Sequence, residues 1–305
     1  TNTLGAMCGV SDMNAITMAN YLCNDYGLDT ISTGSTIAFT MECYQKGILT
    51  DRQTDGRAIN FGDADLVVDL IPIIAKREGI GDLLAEGTRV MSQKLGRGSE
   101  HFAMHVKGLE LPAYDPRAAK ICGLAYVSAN RGGDHITAYI EGPTFVDVPF
   151  LLVEESQIKD PFVANPEESQ IIAELENALT VLDSIGGCKF MGILLTAEEL
   201  CELICAATGW DFTVKEFRRS GERIYNLMRA YSVREGINRE LDILPERLMK
   251  DPLPDGPAEG MLVEMEALER LKDAYYEYRG WDKETGIPTP ERLKELGLED
   301  ILEGL

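Results

Sequence analysis

The stretch NDYGLDTISTG, residues 24–34, closes one helix-patterned run and opens the next. Upstream of it Met13, Ile16, Ala19 and Leu22 recur every third residue, Ser11 is placed to cap, and the run is predicted to stop near Gly27. Downstream, a helix is predicted from about Thr33, with Ile37, Met41 and Tyr44 inward and Gly47 as its stop. A counterpart, DSIGGCKF, lies at residues 183–190. It begins where the apolar face of Ile171, Ile172, Leu175, Leu179 and Leu182 runs out. Each stretch places a carboxylate, glycine and a second polar or thiol group in a tight turn at a helix end. Two such turns point to two places where backbone and carboxylate close on a polar ligand. Cys188 points to a metal centre beside the second.

Helical signals dominate the rest of the chain. Residues 64–78 and 81–95 read as a helical pair joined at Gly79, with Pro72 kinking the first helix or marking its start. Residues 101–111 alternate through Phe102, Met104 and Val106 and read as a short strand. From 115 to 161 the pattern is weak and reads as loop with short helices. Helices resume at Asn165 with Pro166 in the first turn. Thr196 with Glu199, and Thr213 with Glu216, both fit the capping box, and the second starts a long helix through Phe217, Ile224, Leu227, Met228 and Tyr231. A helix near 261–279 and a last one from Thr289 to Gly297 follow. The expectation is an all-α, multihelical protein with minor short strands, in two helical domains, 1–105 and 106–305.

Composition narrows the function. The chain has 305 residues, 45% of them hydrophobic, so a large core is within reach. Its formal charge of −22 opposes binding to nucleic acid, where cationic side chains must displace counterions from phosphate, and to an anionic membrane surface. The most apolar stretch, 66–75, contains Asp69 and Pro72 and falls short of the roughly 20 apolar residues needed to span a bilayer. The seven cysteines are an odd, scattered set without C-x-x-C, which favours a reducing cytoplasm over a disulfide framework and opposes a self-contained zinc or iron–sulfur site. Cys201 and Cys205 share a helix face and read as core packing.

Further segments carry a family likeness: VKGLELPAYDPR (106–117), GLAYVSANRGGDH (123–135), REGINRELDILPER (234–247) and YYEYRGWDKETGIPTPERLKELGL (275–298). With the two turns, in this order, they resemble the C-terminal part of the tungsten-containing aldehyde ferredoxin oxidoreductases. The resemblance implies two helical domains, each with a pterin-binding motif, a tungsten (or molybdenum) bis-pterin, and a [4Fe–4S] cluster passing electrons to ferredoxin. The implied reaction is oxidation of a small aldehyde, with water, to a carboxylate. The family's N-terminal pterin domain and its C-x-x-C-x-x-x-C motif would lie before Thr1. The start at Thr rather than Met is expected of an excised or partial chain, inactive by itself.

The resemblance assigns Asp29 and Asp183 to the adjacent N–H donors of the two pterin rings, an edge that suits an ionised carboxylate. Leu28, Gly187 and Lys189 flank them as further pterin contacts, and Arg131 and Gly132 stand where the family approaches pterin. Cys188 matches the fourth ligand of the cluster, thiolate being the soft ligand such clusters need. His135 matches the acid–base residue of the substrate cavity. Each has a plainer reading: Asp29 caps its helix, Asp183 ends one, Arg131 makes a surface ion pair, Cys188 is a thiol without a metal, and His135 is structural.

Three positions depart from the family pattern. Asn24 replaces the Asp that usually opens the first motif, Gly187 a Leu, and Thr137 a basic residue. The span 18–21 also lacks the family's occasional E-x-x-H, so a homodimer bridged by metal there is not expected, although a homodimer is. Two rivals stand beside the main reading: an acyl or aromatic thioester reductase subunit on the same scaffold, and a non-catalytic helical assembly subunit.

Overall fold

Helix succeeds helix in the computed structural model, which describes residues 1–139 and 158–304. The α-helices among the described residues are α1 Met13–Tyr26, α2 Thr30–Gln45, α3 Ala64–Lys76, α4 Ile80–Leu84, α5 Gly87–Leu95, α6 Lys120–Ser128, α7 Ser169–Ser184, α8 Met191–Leu194, α9 Ala197–Thr208, α10 Val214–Arg234, α11 Glu246–Lys250, α12 Met265–Arg279 and α13 Pro290–Glu295. One antiparallel hairpin, β1 His105–Val106 with β2 Leu109–Glu110, pairs His105 with Glu110 and Val106 with Leu109. The all-α expectation therefore holds. No helix among the described residues is long and apolar enough to cross a membrane. No disulfide joins the seven cysteines, all of which lie in described segments.

The chain divides into two compact units. The first comprises Thr1–Tyr114, Arg131–Asp134 and Leu244–Asp251. Residue 105, the sequence-derived boundary, lies in its hairpin. The hairpin stays with this unit because the Ser35 hydroxyl of α2 donates to the Leu111 carbonyl at 3.3 Å. Helix α2 is the core of the unit, buried from Thr33 to Met41 and at Cys43. At Gly34 a Cβ would lie 2.5 Å from the Thr3 carbonyl carbon, so the N-terminal segment can lie against α2 only because this residue is glycine.

Several sequence expectations shift here. Asp12, not Ser11, caps α1, taking the Asn14 N–H at 2.8 Å. Helix α2 starts at Thr30 rather than near Thr33, because Asp29 caps it. Pro72 lies inside α3 and does not start it. The helix expected over 81–95 breaks at Gly87, where φ is +75° and α5 begins afresh. The N-terminus of α5 is capped from afar: the buried Glu110 carboxylate accepts the Thr88 N–H at 2.7 Å and its hydroxyl at 3.0 Å. The expected strand over 101–111 shrinks to the hairpin, since Ser99–Phe102 forms a 3-10 turn.

The second unit comprises Asp115–Asn130, His135–Ile243 and Pro252–Leu305. Its rod is α7, buried at every position from Ile171 to Leu182. The face expected from the sequence is inside, and so are Glu174, Glu176 and Asn177 on other sides. Gly221 of α10 lets the two helices meet, since a Cβ there would lie 2.2 Å from the Asn177 carbonyl oxygen. Both capping boxes form, at Thr196 and Thr213. The stretch expected to be loop with short helices contains one, α6, buried along its whole length; of that stretch, 140–157 lies outside the described residues.

The polar side chains of α7 are held by α10 and α12. Arg279 Nη2 meets Glu176 Oε2 at 2.6 Å and the Ala173 carbonyl at 3.0 Å, while Nη1 donates to Asn177. The Tyr275 hydroxyl donates to Glu176, whose other oxygen accepts the Ser128 hydroxyl at 3.0 Å. Arg218 and Tyr278 donate to Glu174. A second buried pair, Arg229 and Asp242 at 2.7 Å, takes in the Tyr276 hydroxyl and the Gly286 carbonyl. The Arg279 guanidinium lies 4.1 Å from the Tyr225 ring centroid, and that of Arg229 lies 4.7 Å from Trp281. Burial pushes the Tyr275 and Tyr276 phenols up, so both remain donors across the working pH range.

This network explains why the face of α10 is not the one its apolar residues mark. Phe217, Gly221, Tyr225, Asn226 and Arg229 are buried, while Leu227, Met228 and Tyr231 are exposed. Replacing Arg279 by Met leaves the Glu176 carboxylate buried without its cation and is expected to destabilise this unit by about 3–5 kcal/mol. Adding Glu176→Leu to that variant should restore most of the loss. Urea unfolding of the single and double variants checks this, and a single variant as stable as the parent would refute it.

Candidate functional site

The first turn forms at the α1–α2 junction. Gly27 adopts φ +71°, the left-handed conformation that ends α1, and the Leu28 N–H returns to the Cys23 carbonyl at 2.8 Å. Asp29 is extended, and its Oδ1 accepts the Ser32 N–H at 2.7 Å, capping α2. The carboxylate is exposed, and Oδ2 has no protein partner among the described residues.

Asp29 stands at a cleft of about 300 Å3. Leu28, Ser32, Thr33 and Thr36 form its α2 side; Ile74, Ala75 and Arg77 close it from the end of α3, and Leu84, Ala85 and Gly87 from the α4–α5 junction. Arg77, at φ +56°, is held by Asp82 at 2.9 Å and Glu86 at 2.8 Å. Its hydrogen bond holds the Glu86 carboxyl below the usual range. The cleft thus presents one uncompensated carboxylate, hydroxyls and a guanidinium already matched by acids, which suits a ligand edge rich in N–H donors. Asn24 does not line it; its amide donates to the Asn20 carbonyl of its own helix at 2.9 Å.

The second turn belongs to the other unit. The Gly187 N–H returns to the Leu182 carbonyl at 2.8 Å and that of Gly186 to Asp183 at 3.1 Å, with Gly186 at φ +73°. Asp183 is exposed, and its Oδ2 pairs with Lys189 Nζ at 2.7 Å. Cys188 is exposed and its carbonyl accepts the Met191 N–H at 2.9 Å, starting α8. Nearby in sequence, Ile185, Phe190 and Leu194 are exposed at 47%, 63% and 79%, and Phe190 meets Tyr139 edge-on at 5.7 Å.

Arg131 and Gly132 have structural work. The Gly132 φ is +112°, and a Cβ there would lie 2.5 Å from the Val106 carbonyl oxygen, so glycine lets this loop lie on the β1–β2 hairpin. The Gly133 N–H binds the same carbonyl at 3.2 Å. Arg131 Nε pairs with the buried Asp134 at 2.8 Å, as in its plainer reading. His135 is half-buried and falls in the second unit, whereas Arg131–Asp134 belongs to the first.

Of the residues singled out in the sequence, Leu28 and Asp29 share the cleft, and Asp183, Gly187, Cys188 and Lys189 share the second turn. The sequence reading missed Thr33, Thr36 and Arg77 as cleft walls. The threonines were within reach, one and two helical turns into α2 from Asp29, but Arg77 arrives through the packing of α3. Among the described residues no group of three His, Cys, Asp or Glu side chains could hold a metal ion.

The family model "Aldehyde ferredoxin oxidoreductase, domains 2 & 3" matches residues 1–298. The tungsten-containing aldehyde ferredoxin oxidoreductase of Pyrococcus abyssi is 37% identical over 306 residues, covering 99% of this chain and 48% of that protein. That of Pyrococcus horikoshii is 38% identical over 306 residues, with the same coverage of 99% and 48%. The chain therefore spans about half the length of these relatives. Among solved structures, the active-site complex BamBC of benzoyl coenzyme A reductase with 1,5-dienoyl-CoA superposes with a TM-score of 0.70 at 23% identity, over 96% of this chain and 47% of that one, a likeness of fold.

Asp29 has two separable duties. Asn caps as well as Asp, so Asp29→Asn should leave the melting temperature unchanged, whereas Asp29→Ala should cost about 0.5–2 kcal/mol through loss of the cap. Thermal unfolding of both variants checks this. Equal losses in the two would show that the carboxylate charge, and not the cap, stabilises the turn.

Proposed function

Because this chain belongs to the aldehyde ferredoxin oxidoreductase family as its domains 2 and 3, we propose that it is the C-terminal part of a tungsten–pterin enzyme that oxidises an aldehyde, with water, to a carboxylate. The observation that carries the reading is Asp29. It caps α2 through one oxygen and keeps the other open at a cleft lined with hydroxyls. The residues present fit a pterin: an ionised carboxylate has about four acceptor positions, so the cap leaves enough for two parallel N–H donors.

When bound, the tungsten (or molybdenum) bis-pterin supplies the two-electron chemistry, and a [4Fe–4S] cluster the path onward to ferredoxin. The chain itself orients and insulates. Asp29, flanked by Leu28 and with Asn24 one turn earlier, receives the donor edge of one pterin. Asp183 receives that of the other with its Oδ1, with Gly187 and Lys189 beside it. Arg131 and Gly132 approach pterin from the loop on the hairpin, Arg131 through the N–H groups that Asp134 does not take. Cys188 supplies one thiolate to the cluster, and its three remaining ligands come from the N-terminal pterin domain of the complete enzyme. His135 takes up a proton released as water adds its oxygen to the aldehyde.

The proposal includes two helical domains, each with one pterin motif. It also includes a reducing cytoplasm, consistent with seven cysteines in no disulfide, and a homodimer without a metal bridge at 18–21. The test uses the complete enzyme. Asp29→Asn should lower pterin affinity about tenfold or more, the effect of losing a charge-assisted hydrogen bond of about 1.5–3 kcal/mol. Cys188→Ser should abolish the cluster's paramagnetic signal at unchanged helicity. Full pterin occupancy in the first variant, or an unaltered signal in the second, would overturn the corresponding assignment.

A further inference from the structure

We propose that His101 is a proton-operated latch that holds the strap Leu244–Asp251 against the first unit when its ring is charged and releases it when the ring is neutral. The imidazole faces a carboxylate from each nitrogen. Nδ1 lies 3.1 Å from Glu246 Oε2 and Nε2 lies 2.8 Å from Asp251 Oδ2. An ionised carboxylate only accepts, and a neutral imidazole has one N–H, so both contacts are hydrogen bonds only in the imidazolium form. With the proton gone, one nitrogen lone pair points at a carboxylate oxygen.

Other contacts hold the strap as well, so the latch adds to them. Leu244 and Leu248 are buried, and Arg247 forms a two-pronged pair with Glu42, 2.9 Å on its Nη1 side. Arg247 also lies 5.3 Å from the centroid of the Phe102 ring, next to His101 in sequence. The other charges facing the latch are Lys250 on Glu246, Arg247 Nε at 3.9 Å from Asp251, and Lys46 at 3.5 Å from Glu42. Hydrogen bonds first from Lys250 and then from His101 hold the Glu246 carboxyl below the usual range. Asp251, then Glu246, raise the His101 pKa above its ordinary 6.5. Latching is therefore complete below about pH 6.5 and is lost as pH rises through the raised value of the docked ring.

Release has a structural consequence. Arg247 is one wall of a cavity of about 160 Å3 whose other walls include Met7, Phe39, Phe61 and Phe102. Lifting the strap opens that wall and uncovers the Phe102 face that Arg247 shields.

Hydrogen exchange of the strap amides in the full chain tests the latch, read as protection factors corrected for intrinsic rate, between pH 6 and pH 9. Wild type should lose protection about tenfold for each pH unit by which the docked ring exceeds the free one. His101→Arg, charged throughout, should be protected at both ends of the range. His101→Gln, never charged, should be weakly protected at both. Nuclear magnetic resonance of the wild-type His101 ring supplies the pKa without any variant. Strap protection independent of pH, pH dependence retained in His101→Gln, or a His101 pKa at or below 6.5 would each overturn the proposal.

Discussion

The Arg279–Glu176 pair is the constraint on which the second unit depends. Burying two charges costs more in lost hydration than their attraction returns unless every remaining lone pair and proton finds a partner. Here Arg279 also reaches Asn177 and the Ala173 carbonyl, and Glu176 also accepts from Tyr275 and Ser128. Apolar burial of α7 would tolerate rotation or sliding of the helix. The polar contacts do not, because Glu174, Glu176 and Asn177 each have fixed partners on α10 or α12. The pair thus sets the register of α7 more than its stability. The second turn follows within one helical turn of Leu182, so that register also sets where Asp183 and Cys188 stand.

The first unit relies on a different device, polar groups borrowed across sequence to finish helix ends. Asp29 finishes its own helix, but α5 has no side-chain cap of its own and takes Glu110 from the hairpin. Gly132 brings the loop 131–134 onto that same hairpin, where any side chain would strike the Val106 carbonyl. The hairpin is only two residues long in each strand, yet it is held through Ser35, Thr88 and Gly133. These contacts carry orientation from α2 through the hairpin to the loop that precedes His135.

What was legible in the sequence was whatever depends on neighbours a few residues apart. Both capping boxes, the Asn165–Pro166 start, the buried face of α7 and the two glycine turns fall in this group. What escaped depends on distant partners or on burial from all sides. Helix α6 has no polar face, so no period fixed its bounds within a stretch expected to hold short helices. Helix α10 turns Tyr225, Asn226 and Arg229 inward because residues far along the chain neutralise them, and a hydrophobic pattern reads such positions as surface. Arg77 carries no local sign of its place at the cleft, since α3 brings it there. Ser11 and Asp12 were equally good caps by composition, and only backbone geometry separates them.

The two turns look alike in sequence but offer different chemistry. Asp29 faces its cleft with no cation bonded to its carboxylate, so the first turn is an acceptor that favours donors by charge as well as by hydrogen bonding. Asp183 shares its charge with Lys189, whose side chain is more buried than the acid it meets, at 18% against 57%. The second turn therefore offers an acceptor beside a donor and suits a ligand edge that carries both. The same lysine holds positive charge near an exposed thiol in a protein of net charge −22. Because it is paired with Asp183, it leaves the second turn close to neutral, whereas Asp29 leaves the first turn charged.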